Sequence, residues 1–177
     1  MLYLAYCPVE NTTPSAAAHT LLARLYSRAY GEAMPPLVKE SGGKPGFLGG
    51  RFCSMTHTKR SAFCALSDQP VGIDAEEINR KVMPGLARRL FSTIERETAP
   101  STSEEMLRYW TLKEAYLKYT GEGLRRDLRE LTFLFADGTP KLLGSELHFQ
   151  QMEIFGCFLA ICTPEPYFAP ANHILAL

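Results

Sequence analysis

The alternation of apolar and polar positions divides the chain into short elements. An apolar run at 2–7, Leu-Tyr-Leu-Ala-Tyr-Cys, predicts a strand. Residues 15–30 carry Leu21, Leu22 and Leu25 at helical spacing, with Ser15 placed to cap the N-terminus and Gly31 to end the helix. The runs 51–55, 61–67 and 70–76 predict strands, separated by polar breaks at 57–60 and 68–70. Residues 84–91 predict a short helix with Pro84 in its first turn, and 92–103 read as a polar connection. The firmest helical pattern covers 104–120. Ser101 with Glu104, or Thr102 with Glu105, supplies a capping box, and Gly121 and Gly123 supply the stop. A strand at 131–135 leads to Ala-Asp-Gly-Thr-Pro, a turn in which Asp137 and Gly138 tolerate tight-turn backbone angles. An apolar strand at 153–162 is expected in the core.

The pattern recurs. Gly43-Lys44-Pro45-Gly46-Phe47-Leu48-Gly49 is similar to Gly138-Thr139-Pro140-Lys141-Leu142-Leu143-Gly144, 95 positions on. Phe63-Cys64-Ala65-Leu66 matches Phe158-Leu159-Ala160-Ile161 at the same offset, which also carries the helix at Leu22 onto the helix at Leu117. Three matches at one offset point to two related halves, about 1–70 and 71–177, packed as a single domain over 1–177. The alternative is that turns and strands simply recur. Acidic positions break the repeat: Asp74 corresponds to Ala169, and Glu114 to His19. A site built on those acids would exist once, between the halves.

Composition narrows the function without choosing it. The 177 residues suffice for one domain with a real core. Nineteen Lys and Arg balance nineteen Asp and Glu, so overall charge gives no reason to expect a nucleic-acid partner, although a local basic patch remains open. Five cysteines without a Cys-x-x-Cys pair argue against a zinc ribbon and fit a reducing, cytoplasmic setting. Cys53, Cys64, Cys157 and Cys162 lie in apolar runs and are expected as small core residues. The N-terminus lacks the charged leader of a signal peptide, and no apolar run approaches the roughly 20 residues of a membrane helix. No membrane association is expected.

Two segments carry the chemistry. In Val71-Gly72-Ile73-Asp74-Ala75-Glu76-Glu77-Ile78, strand alternation sends Gly72, Asp74 and Glu76 to one face and Val71, Ile73 and Ala75 to the core. Adjacent carboxylates repel unless a cation intervenes, and magnesium suits such a pair. The plainer alternative is a strand end with solvated acids. Glu77, on the opposite parity, is expected at the surface. In Trp110-Thr111-Leu112-Lys113-Glu114-Ala115-Tyr116-Leu117-Lys118, residues 110, 114 and 118 share one helical face. That face is either a surface Glu–Lys pair or a partly covered site, and the wide apolar arc of Met106, Tyr109, Leu112, Tyr116 and Leu117 favours cover. His57, between Thr56 and Thr58 and followed by two cations, is a solvated turn residue by default and a candidate to line a phosphate pocket; Lys44 is likewise a turn lysine by default.

Together these motifs resemble the 4′-phosphopantetheinyl transferases. Gly72-Ile73-Asp74-Ala75-Glu76 resembles their Gly-x-Asp-x-Glu motif, and Trp110-Thr111-Leu112-Lys113-Glu114-Ala115 with Lys118 their Trp-x-x-Lys-Glu-Ala-x-x-Lys motif. Arg89-Leu90-Phe91-Ser92 with Glu95 is similar to their Arg-Phe-Phe-Ser-x-x-Glu stretch, and Gly43-Lys44-Pro45 with Thr56-His57-Thr58 to their Gly-Lys-Pro and Ser-His-Ser pair. The resemblance implies an α+β fold of two pseudo-symmetric halves, each a helix packed on a small, mainly antiparallel sheet. About 70 residues precede Asp74, which favours the longer, monomeric type named for the surfactin-synthetase activator.

The implied activity is transfer of the phosphopantetheine arm of coenzyme A, the co-substrate, to a serine of an apo acyl- or peptidyl-carrier protein. Asp74, Glu76 and Glu114 would hold Mg²⁺. Glu114 and Lys118 would be catalytic. Lys44, Thr56, His57, Lys113 and Lys118 would contact coenzyme A. Thr56 and Thr58 depart from the family's serines, and the first half is short, with no counterpart of 84–95. Two other readings remain: a non-catalytic relative that binds coenzyme A or a carrier, and a metal-dependent phosphohydrolase using the same carboxylates.

Overall fold

The computed structural model describes the chain except residues 40–41, 84, 99–101 and 168–173 and the side chain of Leu124. In chain order it contains β1 (Leu2–Pro8), α1 (Pro14–Tyr30), β2 (Val38–Lys39), β3 (Pro45–Gly46), β4 (Phe52–His57), β5 (Ser61–Ser67) and β6 (Gly72–Glu77). Next come α2 (Leu86–Leu90), α3 (Thr93–Glu97), α4 (Ser103–Thr120) and two 3-10 turns, Gly123–Arg125 and Leu128–Glu130. The last elements are β7 (Phe133–Ala136), β8 (Thr139–Leu142), β9 (His148–Ile154), β10 (Cys157–Thr163) and β11 (Leu175–Ala176). The fold is mixed α+β. Among the described residues one sheet runs β11-β1-β5-β4 and a second β6-β10-β9, with small pairs β2-β3 and β7-β8. Every pairing is antiparallel except β1 with β11.

Alternation along the strands builds four layers. Ala62, Cys64 and Leu66 of β5 pack under Leu21, Leu22 and Leu25 of α1. Phe63 and Ala65 of the same strand face the second sheet, meeting Ile73 and Ala75 of β6 and Leu159 and Ile161 of β10. Ala160 and Cys162 turn the other way, to Leu112 and Ala115 of α4. The order is therefore α1, first sheet, second sheet, α4. Strands β5 and β10 are buried on both faces, which is why each reads as a continuous apolar run. Cys53, Cys64, Cys157 and Cys162 are buried, as expected.

Several boundaries differ from the sequence reading, each for a local reason. Helix α1 is capped by Thr13, whose hydroxyl accepts from the Ala16 amide; Pro14 then takes the first turn, where its fixed φ fits, and Ser15 lies inside the helix. Helix α4 uses the Thr102–Glu105 capping box and ends at Gly121 in the left-handed region, while Gly123 belongs to the following 3-10 turn. The alternative box at Ser101, and the Pro84 first turn, lie outside the described residues. The polar connection contains α3, too short for periodicity to betray, set by a reciprocal Ser92–Glu95 capping box. The apolar run at 153–162 is a hairpin, turning at Phe155 (φ 51°) and Gly156 (φ 72°) much as Asp137 (φ 50°) and Gly138 (φ 77°) turn between β7 and β8. Phe155 is an unusual turn residue, and its ring stacks on Tyr6 with centroids 3.8 Å apart.

The single 95-residue offset does not carry one sheet onto the other. It pairs Cys64, which faces α1, with Leu159, which faces away from α4. A one-residue slip reverses every side chain of a strand. The C-terminal strand also crosses the proposed boundary at 70: Leu175 and Ala176 pair with Ala5 and Tyr6 of β1.

The two sheets meet through the edge strands β4 and β6. Free amides on β6 are satisfied by hydroxyls of β4: Ile73 N–H donates to Ser54 Oγ (3.0 Å) and Ala75 N–H to Thr56 Oγ1 (3.2 Å). On its other side β6 lies directly on α4. A Cβ at Gly72 would overlap the Ala115 carbonyl oxygen and the Tyr119 amide, and would sit 2.9 Å from Tyr119 Cα. Gly72→Ala should therefore cost about 3 kcal/mol, because backbone on both sides must part. Urea unfolding measures this, and a variant with wild-type stability would show that strand and helix are not in contact there.

Candidate functional site

The close approach at Gly72 sets the next residues of β6 against α4. Asp74, two residues along the strand, is buried. Its Oδ1 accepts hydrogen bonds from Thr56 Oγ1 (3.0 Å) and Lys118 Nζ (2.7 Å), while Oδ2 is out of solvent with no hydrogen-bond partner. Glu114, one turn before Lys118, also has a buried oxygen, Oε1, without a partner. Burial, and the Asp74 carboxylate beside it, push the Glu114 pKa up to about 7; Lys118 opposes the shift. Burial raises the Glu76 pKa, and its ion pair with Arg80 only partly opposes that. Glu77, expected at the surface, is half buried with Oε1 unpartnered, on the strand position that pairs with Cys157.

Beside these acids a cavity of about 350 Å³ opens across the seam between the layers. Ser15 and His19 of α1, the loop at 42–45, Ser54, Met55 and His57 of β4, and Leu117 and Lys118 of α4 line it. The Lys118 ammonium, which bonds Asp74, also donates to the Met55 carbonyl (3.3 Å). Lys44 lines the cavity and donates to the carbonyls of Val71 (3.0 Å) and Tyr119 (3.2 Å), tying the start of β6 to the end of α4. His57 is exposed at the end of β4 and borders both this cavity and a hollow holding Lys59, Arg60, Glu76 and Arg80.

Two expected coenzyme contacts have their side-chain donors engaged inside the protein. Lys113 faces away from the site and is fully buried, with Nζ donating to Glu95 Oε2 (2.6 Å) and to the carbonyls of Leu90 (2.6 Å) and Leu128 (3.1 Å). All three of its protons are committed inside the protein, so none reaches a phosphate. Burial lowers its pKa, and the Glu95 carboxylate opposes that. Glu95 is the partner that sequence reasoning left without a role: it also accepts from the amides of Ser92 and Phe133 (2.8 Å each). Thr56 likewise does not point its proton at a ligand. It gives that proton to Asp74 and accepts from Ala75, so it orients the acid. Ser54, also overlooked, does the same for the neighbouring amide. The visible signal was polar residues at alternate positions of an otherwise apolar strand. The hydroxyl of Thr58 accepts from the amides of Arg60 and Ser61 and shapes the turn.

No group of three or more His, Cys, Asp or Glu among the described residues is gathered closely enough to hold a metal ion unaided. Lys118 occupies one side of Asp74, and Arg80 occupies Glu76. Magnesium nevertheless fits. It is usually held by one or two carboxylates with phosphate and water completing the shell. Asp74 Oδ2 and Glu114 Oε1 are buried, hard and unpartnered, which is the condition a cation relieves.

The raised Glu114 pKa makes a stability prediction for metal-free protein. Because its folded pKa lies above the ordinary 4.5, the group's contribution is complete below pH 4.5 and is lost as the pH rises through about 7. Glu114→Gln should therefore gain about 2–3 kcal/mol relative to wild type between pH 4 and pH 8. Denaturant unfolding in chelator-containing buffers reads this, and parallel pH profiles would mean that Glu114 titrates normally.

A family model described as the 4′-phosphopantetheinyl transferase superfamily matches residues 70–162. The 4′-phosphopantetheinyl transferase HetI of Nostoc sp. is 34% identical over 128 residues, 65% of this chain and 53% of its own length. Sfp of Bacillus subtilis, also named a 4′-phosphopantetheinyl transferase, is 28% identical over 126 residues, 65% of this chain and 56% of its own. AcpT of Salmonella typhimurium, with the same designation, is 31% identical over 160 residues, 85% of this chain and 76% of its own. The chain thus spans about half the length of HetI and Sfp and three quarters of AcpT. The family match opens just before Gly72 and closes in β10, so β6, α4 and all the clustered acids fall inside it. The chain belongs to the 4′-phosphopantetheinyl transferase superfamily.

Proposed function

We propose that the protein is an enzyme that transfers the 4′-phosphopantetheine arm of coenzyme A to a serine of an apo acyl- or peptidyl-carrier protein. The observation that carries this reading is the pair of orphaned buried oxygens, Asp74 Oδ2 and Glu114 Oε1, beside a seam cavity bordered by Lys118. The designations of HetI, Sfp and AcpT support it.

Asp74 and Glu114, with Glu76 behind them, are the residues that would hold Mg²⁺ against the coenzyme A pyrophosphate. Bound there, the ion would offset charge growing on the phosphates. Glu114 has a pKa near neutrality, suited to accepting the serine proton, directly or through a water. The serine oxygen then attacks the β-phosphorus. The bond from that phosphorus to the bridging oxygen breaks, and 3′,5′-ADP leaves with the electron pair. Lys118 lies where it can leave Asp74 for the departing phosphate. Lys44 and His57 line the cavity wall and would contact the coenzyme's 3′-phosphate.

The two sheets share one plan. A strand (β1 or β6) precedes a helix (α1 or α4), and a hairpin (β4-β5 or β9-β10) inserts its second strand beside the first. This supports related halves forming one domain; that the domain works as a cytoplasmic monomer is part of the same proposal. Among the described residues no helix is long and apolar enough to cross a membrane.

The test is to incubate the protein with coenzyme A, Mg²⁺ and apo carrier proteins and to weigh the carriers by mass spectrometry. A gain of one phosphopantetheine mass is expected. It should be abolished by chelator and slowed about a thousandfold by Glu114→Gln. No gain on any carrier would overturn the reading.

A further inference from the structure

The site gathers Asp74, Glu76 and Glu114 on facing elements, but only two of these acids wait for a partner. Asp74 Oδ2 and Glu114 Oε1 are buried and unpartnered, whereas no oxygen of Glu76 is both. Alternation sends Asp74 and Glu76 to one face of β6, two residues apart, so Glu76 starts in the right place to share an ion. Its charge is nevertheless already answered. Arg80 Nη1 donates to Glu76 Oε1, in an ion pair whose acid is 16% exposed and whose guanidinium is 48% exposed.

The path of the chain places that guanidinium. Strand β6 ends at Glu77, and the Arg80 amide donates back to the Glu77 carbonyl (2.9 Å), closing a turn over 77–80. Asn79, a residue that suits tight turns, stands at its third position. The Ile78 amide donates to the Gly156 carbonyl (3.0 Å), which anchors the turn to the β9-β10 hairpin. A strand that ran straight on would carry residue 80 about 13 Å past residue 76. The turn brings it back against the acid.

We infer that Arg80 is a positioning residue that withholds Glu76 from the metal, leaving Asp74 and Glu114 to supply its carboxylate ligands. The inference rests on the reading of that pair as the metal site; the Arg80–Glu76 contact does not. It accounts for the finding that the described acids are not gathered three together around one point.

The chemistry gives a reason for the arrangement. Magnesium demands a near-octahedral shell of oxygens. Two carboxylates leave the remaining positions to phosphate and water. A third would fill one of them and place more negative charge on the ion, weakening its pull on a phosphate oxygen. Net charge follows the same logic. With Glu114 ionised, three carboxylates face the two cations Lys118 and Arg80, and a bound divalent ion turns that balance positive, which suits an incoming pyrophosphate. Without Arg80 the loaded site would be neutral.

The test measures metal binding by the full chain without coenzyme A. Mn²⁺ is the probe, since carboxylates take it as they take magnesium, and water-proton relaxation reports its binding. Arg80→Ala should tighten Mn²⁺ about fivefold, the scale expected when a part-exposed ion pair no longer competes. Ca²⁺, which accepts more oxygens, should gain more than Mg²⁺ when each is used to displace Mn²⁺. Arg80→Lys should restore most of the wild-type affinity. Glu76→Gln should change wild-type affinity by less than about twofold, yet should abolish the gain in the Arg80→Ala background. A general field effect of the lost charge would persist in that background and would overturn the inference. An unchanged affinity in Arg80→Ala, or a loss of about tenfold from Glu76→Gln alone, also overturns it while leaving Asp74 and Glu114 as the metal pair. Mn²⁺ binding that is absent, or that survives Asp74→Asn, overturns the metal pair and the inference with it.

Discussion

The absence of one side chain organises this molecule. Gly72 lets β6 run against the backbone of α4 at Ala115 and Tyr119, closer than any other residue would permit. Once strand and helix touch there, Asp74 and Glu76 on the same strand face must meet Glu114 and Lys118 one turn on. The acids are brought together by a packing constraint, and their electrostatics follow from it. The Glu114 carboxyl titrates near neutrality because it is buried beside Asp74.

The same contact explains how two sheets share a site. Strands β4 and β6 are both edges, and an exposed edge invites wrong pairing. Here Ser54 and Thr56 cap the edge amides of β6 with hydroxyls in place of a backbone ladder. Thr56 passes its own proton to Asp74, so the joint between the sheets also fixes the acid's orientation. Buried oxygens left without partners cost stability, and such cost is characteristic of sites that await a ligand. The buried Lys113–Glu95 pair is the opposite case: every proton and every oxygen is answered, and its effect is to hold the end of α2 and the turn at Leu128 to α4.

Much of this could be read from the chain. The face shared by Gly72, Asp74 and Glu76 and the face shared by Trp110, Glu114 and Lys118 follow from strand and helix periods alone, and the structure has both. Helix α4 and its glycine stop were legible because cap, period and terminator agreed. What failed did so where local pattern is silent. Helix α3 is too short for a period. The Phe155–Gly156 turn has no turn residue at its first position and depends on a ring stacked from the first sheet. The 95-residue offset matched letters but missed the one-residue slip that decides which face each letter takes. Lys113 is expected at the coenzyme because its motif neighbours are site candidates; only the path of the chain through Leu90, Glu95 and Leu128 reveals that it points inward.

The central claim is that Asp74 and Glu114 form a buried, charge-frustrated pair that a cation completes. Calorimetry of Mg²⁺ and coenzyme A binding at pH 7, in buffers of different ionisation enthalpy, tests it directly. A carboxyl with a pKa of about 7 is half protonated there and must lose that proton to become a ligand. Wild type should release about half a proton more than Glu114→Gln. Equal proton release from the two proteins, with equal metal affinity, would contradict the account.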